Sequence, residues 1–319
     1  MQRKQSISER VARTTALPGP VARSLEVCSE LTASRAGSFY RAIRLTPAPK
    51  RPGMYALYAW SREADDIADE SPTPDEVRAG LAEFSRKTAA AFAGVAPGDD
   101  TTIWPAFTWA VGEYGLERRV CEDLIEGMRR EADGVRLTTF AEFDEYCYRV
   151  AGTVGVLCVR IWGVRAAADP SLVRRLAERR GRALQTINVL RDFAADFDRV
   201  PRRVYIPSEL FTRCGLVDEG LRSWRDPMRC EAVVRELAAR ARSDLAESQP
   251  LHALVERSCA PVLEAMTTVY ACLLGALERH PRRVLDQPPV SVAVWRKALI
   301  AATAVSRSWL TRWRPGSAT

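Results

Sequence analysis

Two segments carry carboxylates at a spacing that could hold a metal ion. Y-A-W-S-R-E-A-D-D-I-A-D-E at 58–70 contains Arg62, Asp65, Asp66 and Asp69. Q-T-I-N-V-L-R-D-F-A-A-D at 185–196 contains Gln185, Asn188, Asp192 and Asp196. If both are helical, Tyr58, Arg62, Asp65 and Asp69 share one stripe. Gly181, Gln185, Asn188, Asp192 and Asp196 share another, since residues three and four apart lie on one face. Like charges one turn apart destabilise an isolated helix. Doing this twice predicts a compensating cation. Magnesium fits, because it takes hard oxygen ligands, typically one or two carboxylates completed by substrate phosphates and water.

Two facing acidic stripes would hold a small magnesium cluster, two or three ions, that binds a diphosphate and stabilises it as a leaving group. Arginine forks suit the phosphate oxygens. Arg62 and Arg191 lie beside the acids, and Arg41, Arg51 and Arg203 are further candidates. Loss of diphosphate from an allylic carbon leaves a carbocation, which needs a dry, shaped, apolar site. Y-C-Y-R-V-A-G-T-V-G at 146–155 suits that need. Glycine inside a helix costs about 1 kcal/mol relative to alanine, so Gly152 and Gly155 imply a kink or a close approach, with tight helix–helix packing the simplest form of it. Tyr148 and Tyr270 are candidates to line the cavity and present a ring face to a cation; plain core packing is the alternative for each.

Helices must position these groups. Apolar periodicity predicts helices over 20–33, 36–44, 52–70, 74–94, 101–113, 117–132, 139–163, 168–196, 229–246, 256–280 and 291–312. Alternating strand patterns are nearly absent. Thr73-Pro74-Asp75-Glu76 is a helix start, with a capping hydroxyl, proline in the first turn and acids at the positive dipole end. The stretch from Arg199 to about Met228 reads as a long connection with short helices. The expectation is an all-α, single-domain helical bundle with a central cavity, the two aspartate helices facing each other. Its parts would be an N-terminal tail and first helix (1–33), the main domain (34–290), and a C-terminal amphipathic helix and tail (291–319). Residues 1 to about 18 and 314–319 are expected to be disordered ends.

Composition narrows the function class. The 319 residues are 47% hydrophobic, and Lys+Arg 47 against Asp+Glu 40 gives +7. This excess suits anionic small molecules or lipid surfaces. The basic residues are scattered, without the stripe of a nucleic-acid binder, so no nucleic-acid partner is expected. None of the eight cysteines forms CxxC, and the two histidines make no triad or metal pattern. Reduced thiols and a cytoplasmic location are expected. No stretch holds the roughly 18 uncharged apolar residues of a membrane span.

Taken together, S-F-Y-R-A-I-R-L (38–45), A-L-Y-A-W-S-R-E-A-D-D-I-A-D-E (56–70), L-I-E-G-M (124–128), Y-C-Y-R-V-A-G-T-V-G (146–155), G-R-A-L-Q-T-I-N-V-L-R-D-F-A-A-D (181–196) and R-V-Y-I-P (203–207) resemble the phytoene/squalene synthase family. The resemblance runs from about Ser38 to Pro207, with a weaker tail to about Lys297. It implies the isoprenoid synthase fold and a head-to-head condensation of two prenyl diphosphates through a cyclopropylcarbinyl diphosphate. It implies that Asp65 and Asp69 bind magnesium from one side, and Asp192 and Asp196 from the other. Arg62, Gln185, Asn188 and Arg191 would support the diphosphates. Ser38, Phe39, Tyr205 and Tyr270 would lie near the substrates.

Departures from the family pattern are Ala195 in place of an acid, Ser61 for a common cysteine, and Pro201-Arg202 for a glycine before Arg203. A-G-T-V-G is similar to phytoene synthases, which use two C20 chains. V-L-C-V-R-I-W-G at 156–163 is similar to bacterial presqualene and squalene synthases of hopanoid-type pathways, which use two C15 chains, and tips the expectation to C15. Five carbons per chain are worth roughly 4 kcal/mol at about 0.8 per buried methylene, so cavity depth decides. No dinucleotide fingerprint is present, which disfavours a built-in NADPH reduction. A catalytically inactive scaffold of the same fold is the rival from another class. Terpene cyclases and head-to-tail prenyltransferases are disfavoured by the second motif. A C-terminal segment with Trp295, Trp309 and Trp313 beside Arg296, Lys297, Arg307 and Arg312 reads either as a packed helix or as one resting peripherally on the inner membrane face. The oligomeric state is left open.

Overall fold

A computed structural model describes residues 17–35 and 42–312. The expected helices are present: α1 (Gly19–Arg35), α2 (Arg51–Glu70), α3 (Pro74–Phe92), α4 (Trp104–Tyr114), α5 (Arg118–Arg130), α6 (Phe140–Cys147), α7 (Thr153–Trp162) and α8 (Pro170–Asp198). Short α9 (Ser208–Arg213) and α10 (Asp218–Ser223) lie in the long connection. They precede α11 (Pro227–Glu247), α12 (Leu251–Leu254), α13 (Ala260–Arg279) and α14 (Val294–Arg312). This is the all-α bundle expected from the periodicity. The ends expected to be disordered, and most of the helix expected over 36–44, lie outside the described residues.

The stripes explain the packing. In α2 the face opposite the aspartates buries Met54, Leu57, Trp60 and Ala64. Trp60 stacks on Phe107 of α4, centroids 5.0 Å apart, and its indole N–H donates to Thr88 of α3 at 3.0 Å. In α8, Ile187, Leu190, Phe193 and Ala194 are buried, and the helix packs most heavily on α11. Twenty-nine residues make α8 about 43 Å long at 1.5 Å per residue. That length lets one helix span the bundle and still deliver Asp192 and Asp196 near its end.

The helix expected over 139–163 is interrupted. Residues Tyr148–Gly152 form a π-turn, in which the Thr153 N–H donates to the Tyr148 carbonyl. Gly155 and Gly181 then bring α7 and α8 together. A Cβ on Gly155 would lie 2.7 Å from the Ala177 carbonyl oxygen, and one on Gly181 2.4 Å from that of Ala151. The glycines thus mark both a distortion and a close helix contact.

Two short parallel strands, β1 (Val135–Arg136) and β2 (Arg203–Val204), pair Val135 with Arg203. Gly134 precedes them at φ +88, and a Cβ there would meet the Arg202 carbonyl oxygen at 2.7 Å. Only glycine suits both demands. This small ladder pins Arg203 beside the end of α5. Helix α13 is long and apolar enough to cross a membrane by length and composition, yet it packs against α8, α11 and α14.

Candidate active site

The ends of α2 and α8 meet around one buried cation. Arg203, on β2, is 7% exposed. Its guanidinium lies 3.1 Å from Asp69 of α2 and 3.4 Å from Glu131, the residue that follows α5. Glu131 also accepts the Tyr205 hydroxyl at 2.6 Å. Tyr205 stacks on Tyr146, centroids 4.6 Å apart. Tyr146 in turn accepts the Gln185 side-chain N–H at 2.9 Å, and Gln185 accepts from Asn188 at 3.2 Å. A chain of contacts therefore runs from the first aspartate helix to the second.

Asp65 and Asp196 have no ion pair among the described residues. Burial, then the neighbouring Asp69, pushes Asp65 up from 3.8 to about 7, against the pull of Arg62. Burial, then Asp192, pushes Asp196 up to about 7, against Arg203. Burial also raises Glu131, with Arg203 and Tyr205 opposing it. Asp65 and Asp196 each feel the charge of Glu131, so both stripes run to the same acid. Asp192 is held by its neighbour Arg191, whose Nε lies 2.8 Å away. Arg191 also faces Tyr270 of α13. Arg62 is paired with Asp66 one turn on, and stays within the field of Asp65.

Most of the expected residues are thus brought together: Asp65, Asp69, Asp192, Asp196, Arg62, Gln185, Asn188, Arg191, Arg203, Tyr205 and Tyr270. Tyr148 is not. Its hydroxyl donates to Asp123 of α5 at 2.7 Å, beside Arg174. Two residues apart on a helix lie about 200° apart, so Tyr146 and Tyr148 cannot both face the acids. Tyr146 takes that place. Arg51 donates to the Thr46 carbonyl at the far end of α2 from Asp69. Ser38, Phe39 and Arg41 lie outside the described residues.

Three participants were not singled out by sequence reasoning. Glu131 sits in the unremarkable run M-R-R-E, with no spacing that flags it. Arg199 follows α8 and lies 2.9 Å from Asp69. Tyr146 had a usable signal: Phe143 and Cys147 mark the buried face of α6, and Tyr146 lies beside them.

Among the described residues, no three His, Cys, Asp or Glu side chains alone form a metal cage. Magnesium usually takes one or two carboxylates and completes its shell with phosphate oxygens and water. Asp65 and Asp196, part-buried and without an ion pair among the described residues, supply hard oxygen donors that a divalent cation would neutralise. Their pKa direction has a testable consequence. Between about pH 4 and 7 the folded, metal-free chain holds protons that the unfolded chain has released. Stability therefore falls as pH rises across that window. Metal needs the ionised carboxylates, so stabilisation by magnesium should grow over the same range. Thermal melts with and without magnesium should show a larger rise in Tm at about pH 8 than at about pH 6. An equal or smaller rise at the higher pH would refute the assignment.

Comparisons with known proteins agree with this geometry. The squalene/phytoene synthase family model matches residues 33–296. A presqualene diphosphate synthase of Rhodopseudomonas palustris is 32% identical over 254 residues, 79% of this chain and 78% of that protein. A phytoene synthase of Mycobacterium tuberculosis is 31% identical over 294 residues, 90% and 92% of the two chains. A crystal structure of a dehydrosqualene synthase in complex with ligand superposes with a TM-score of 0.80 at 26% identity, covering 92% of this chain and 98% of that one. This chain belongs to the squalene/phytoene synthase family, prenyltransferases that condense prenyl diphosphates head to head.

Proposed function

We propose that the chain joins two farnesyl diphosphates head to head, through presqualene diphosphate, to a squalene-type C30 product. The observation that carries the condensation reading is the meeting of Asp65, Asp69 and Asp196 around Arg203 and Glu131, with Asp192 acting on Asp196. Magnesium would be held by the four aspartates; when bound it supplies Lewis-acid stabilisation of a departing diphosphate. Arg191 holds Asp192, Arg199 and Arg203 hold Asp69, and all three carry forks suited to phosphate oxygens. Tyr205, which is buried, stacks on Tyr146, and Gln185 donates to the Tyr146 hydroxyl, a set of rings and hydrogen bonds that would help shield the reacting carbons.

The C15 choice rests on V-L-C-V-R-I-W-G and on the likeness to a presqualene diphosphate synthase. The alternative, phytoene synthesis from two C20 chains, is favoured by A-G-T-V-G and by the likeness to phytoene synthases. The deciding experiment incubates purified protein and magnesium with farnesyl or geranylgeranyl diphosphate, each with and without NADPH, and identifies the lipids. Presqualene diphosphate or a C30 hydrocarbon from the C15 substrate is expected. Phytoene from the C20 substrate alone would replace that reading. No turnover of either by folded protein would favour the inactive scaffold.

A peripheral membrane contact through α14 accompanies this reading. Val294, Trp295 and Leu299 are 62%, 69% and 59% exposed, while Val292 and Ala304 are buried. The Trp309 side chain and all of Trp313 lie outside the described residues. An apolar edge flanked by cations suits an anionic lipid surface, and an oily product needs one. Replacing Trp295 and Leu299 together by Ser should lower sedimentation with anionic vesicles by about tenfold, and unchanged sedimentation would rule the contact out.

A further inference from the structure

Arg199 lines an open cavity, and its partner, Asp69, is one of the expected metal ligands. It follows the final turn of α8. One guanidinium nitrogen lies 2.9 Å from the Asp69 carboxylate, and another donates to the Asp69 backbone carbonyl at 2.9 Å. Arg203 touches the same carboxylate oxygen from the inner side. The two arginines differ in what else holds them. Arg203 is buried and tied to Glu131. Arg199 is 30% exposed, Asp69 42%. Both line an open cavity of about 620 Å³ together with Ala195, Asp198 and Gln287.

Position 195 sharpens the contrast. The alanine there adds no carboxylate to the cavity wall. Arg199 therefore has Asp69 as its contact partner, with Asp196 and Glu131 near enough to feel its charge. A divalent cation that takes Asp69 competes with Arg199 for its carboxylate. A freed, half-exposed guanidinium beside a cavity is then a ready partner for an anion with phosphate geometry.

We propose that Arg199 is a displaceable internal counter-ion: it occupies Asp69 in the ligand-free site and is handed to the diphosphate when metal arrives. The site thereby disfavours free metal and favours metal carried with diphosphate. This rests on the metal reading given under Proposed function.

The test is binding, measured by calorimetry on the full chain with Mn2+ alone and with Mn2+ plus inorganic pyrophosphate. Arg199→Gln should bind free Mn2+ about two- to fivefold more tightly, the worth of a part-exposed ion pair. The same variant should bind pyrophosphate with Mn2+ about tenfold more weakly, the worth of a charge-assisted hydrogen bond. In an Asp69→Asn background the gain for free Mn2+ should vanish, as non-additivity at a shared contact requires. Arg199→Lys, which keeps the charge and loses the fork, should fall between the wild type and Arg199→Gln. Arg222→Gln removes a cation from the Asp198 pair nearby and should leave Mn2+ binding unchanged. Equal affinities in wild type and Arg199→Gln, or an equal shift in Arg222→Gln, would overturn the counter-ion role while leaving the metal site standing. Absence of Mn2+ binding in the wild type, with and without pyrophosphate, would remove both.

Discussion

Asp196→Asn should lower product formation by about a thousandfold while leaving the fold intact. A bound divalent cation supplies several kcal/mol to a developing charge, and each 1.36 kcal/mol is tenfold in rate. Asparagine keeps the shape and removes the charge. Asp196 is raised to about 7 by burial first and Asp192 second. In the metal-free protein, removing that charge above pH 7 therefore relieves a burden, so the variant should melt no lower than wild type. Asp65→Asn should behave alike, because burial and Asp69 raise Asp65 in the same way. The double variant should be little worse than either single one, since both serve the same ions. Asp66, already paired with Arg62, serves as the contrast: Asp66→Asn should cost much less turnover. Steady-state turnover and thermal melts on the four variants decide the matter. An Asp196→Asn enzyme retaining more than about a tenth of wild-type turnover would remove Asp196 from the site.

Arg203→Met should be the most damaging single change to stability. Arg203 is buried between Glu131 and Asp69, and its side chain is 8% exposed. Removing one partner of a buried charge pair costs about 3–5 kcal/mol, because the remaining charge is left uncompensated. Methionine fills comparable length, so the loss isolates charge from volume. Glu131 offers a partial escape. Burial already raises it while Arg203 holds it down; without the arginine it can take up a proton instead. The loss should therefore be large at about pH 8 and shrink toward about pH 5. Chemical denaturation at both pH values reads this directly. A loss that is independent of pH would show that Arg203 acts through packing alone.

The helices and the acidic stripes were readable because they are local. Period-3.6 apolar patterning decides which face of α2 is buried, and the same spacing sets Asp65 and Asp69 on the opposite face. Thr73 caps α3 as its residue type requires, accepting the Glu76 backbone N–H. The π-turn was harder to read. Its cost is local, but it is tolerated through long-range contacts: Gly152 and Gly155 meet α8 at Glu178 and Ala177, and Gly181 of α8 meets Ala151. That turn, and the choice of Tyr146 over Tyr148, depend on which side of α6 meets α8 and β2.

Residue types and spacing by themselves determined the all-helical architecture, the two acidic stripes and the family. These follow from periodicities of a few residues and from side-chain chemistry. Only the tertiary structure decided which charged groups surround those acids. Glu131, Arg199 and Arg203 are 66 or more residues from Asp65 in sequence, and no spacing rule links them. Their roles arise from chain ends meeting in space. The β1–β2 ladder sets Arg203 against Glu131, and the last turn of α8 sets Arg199 against Asp69. Burial at that meeting point then raises Asp65 and Asp196, a property of the assembled dielectric that no single segment carries.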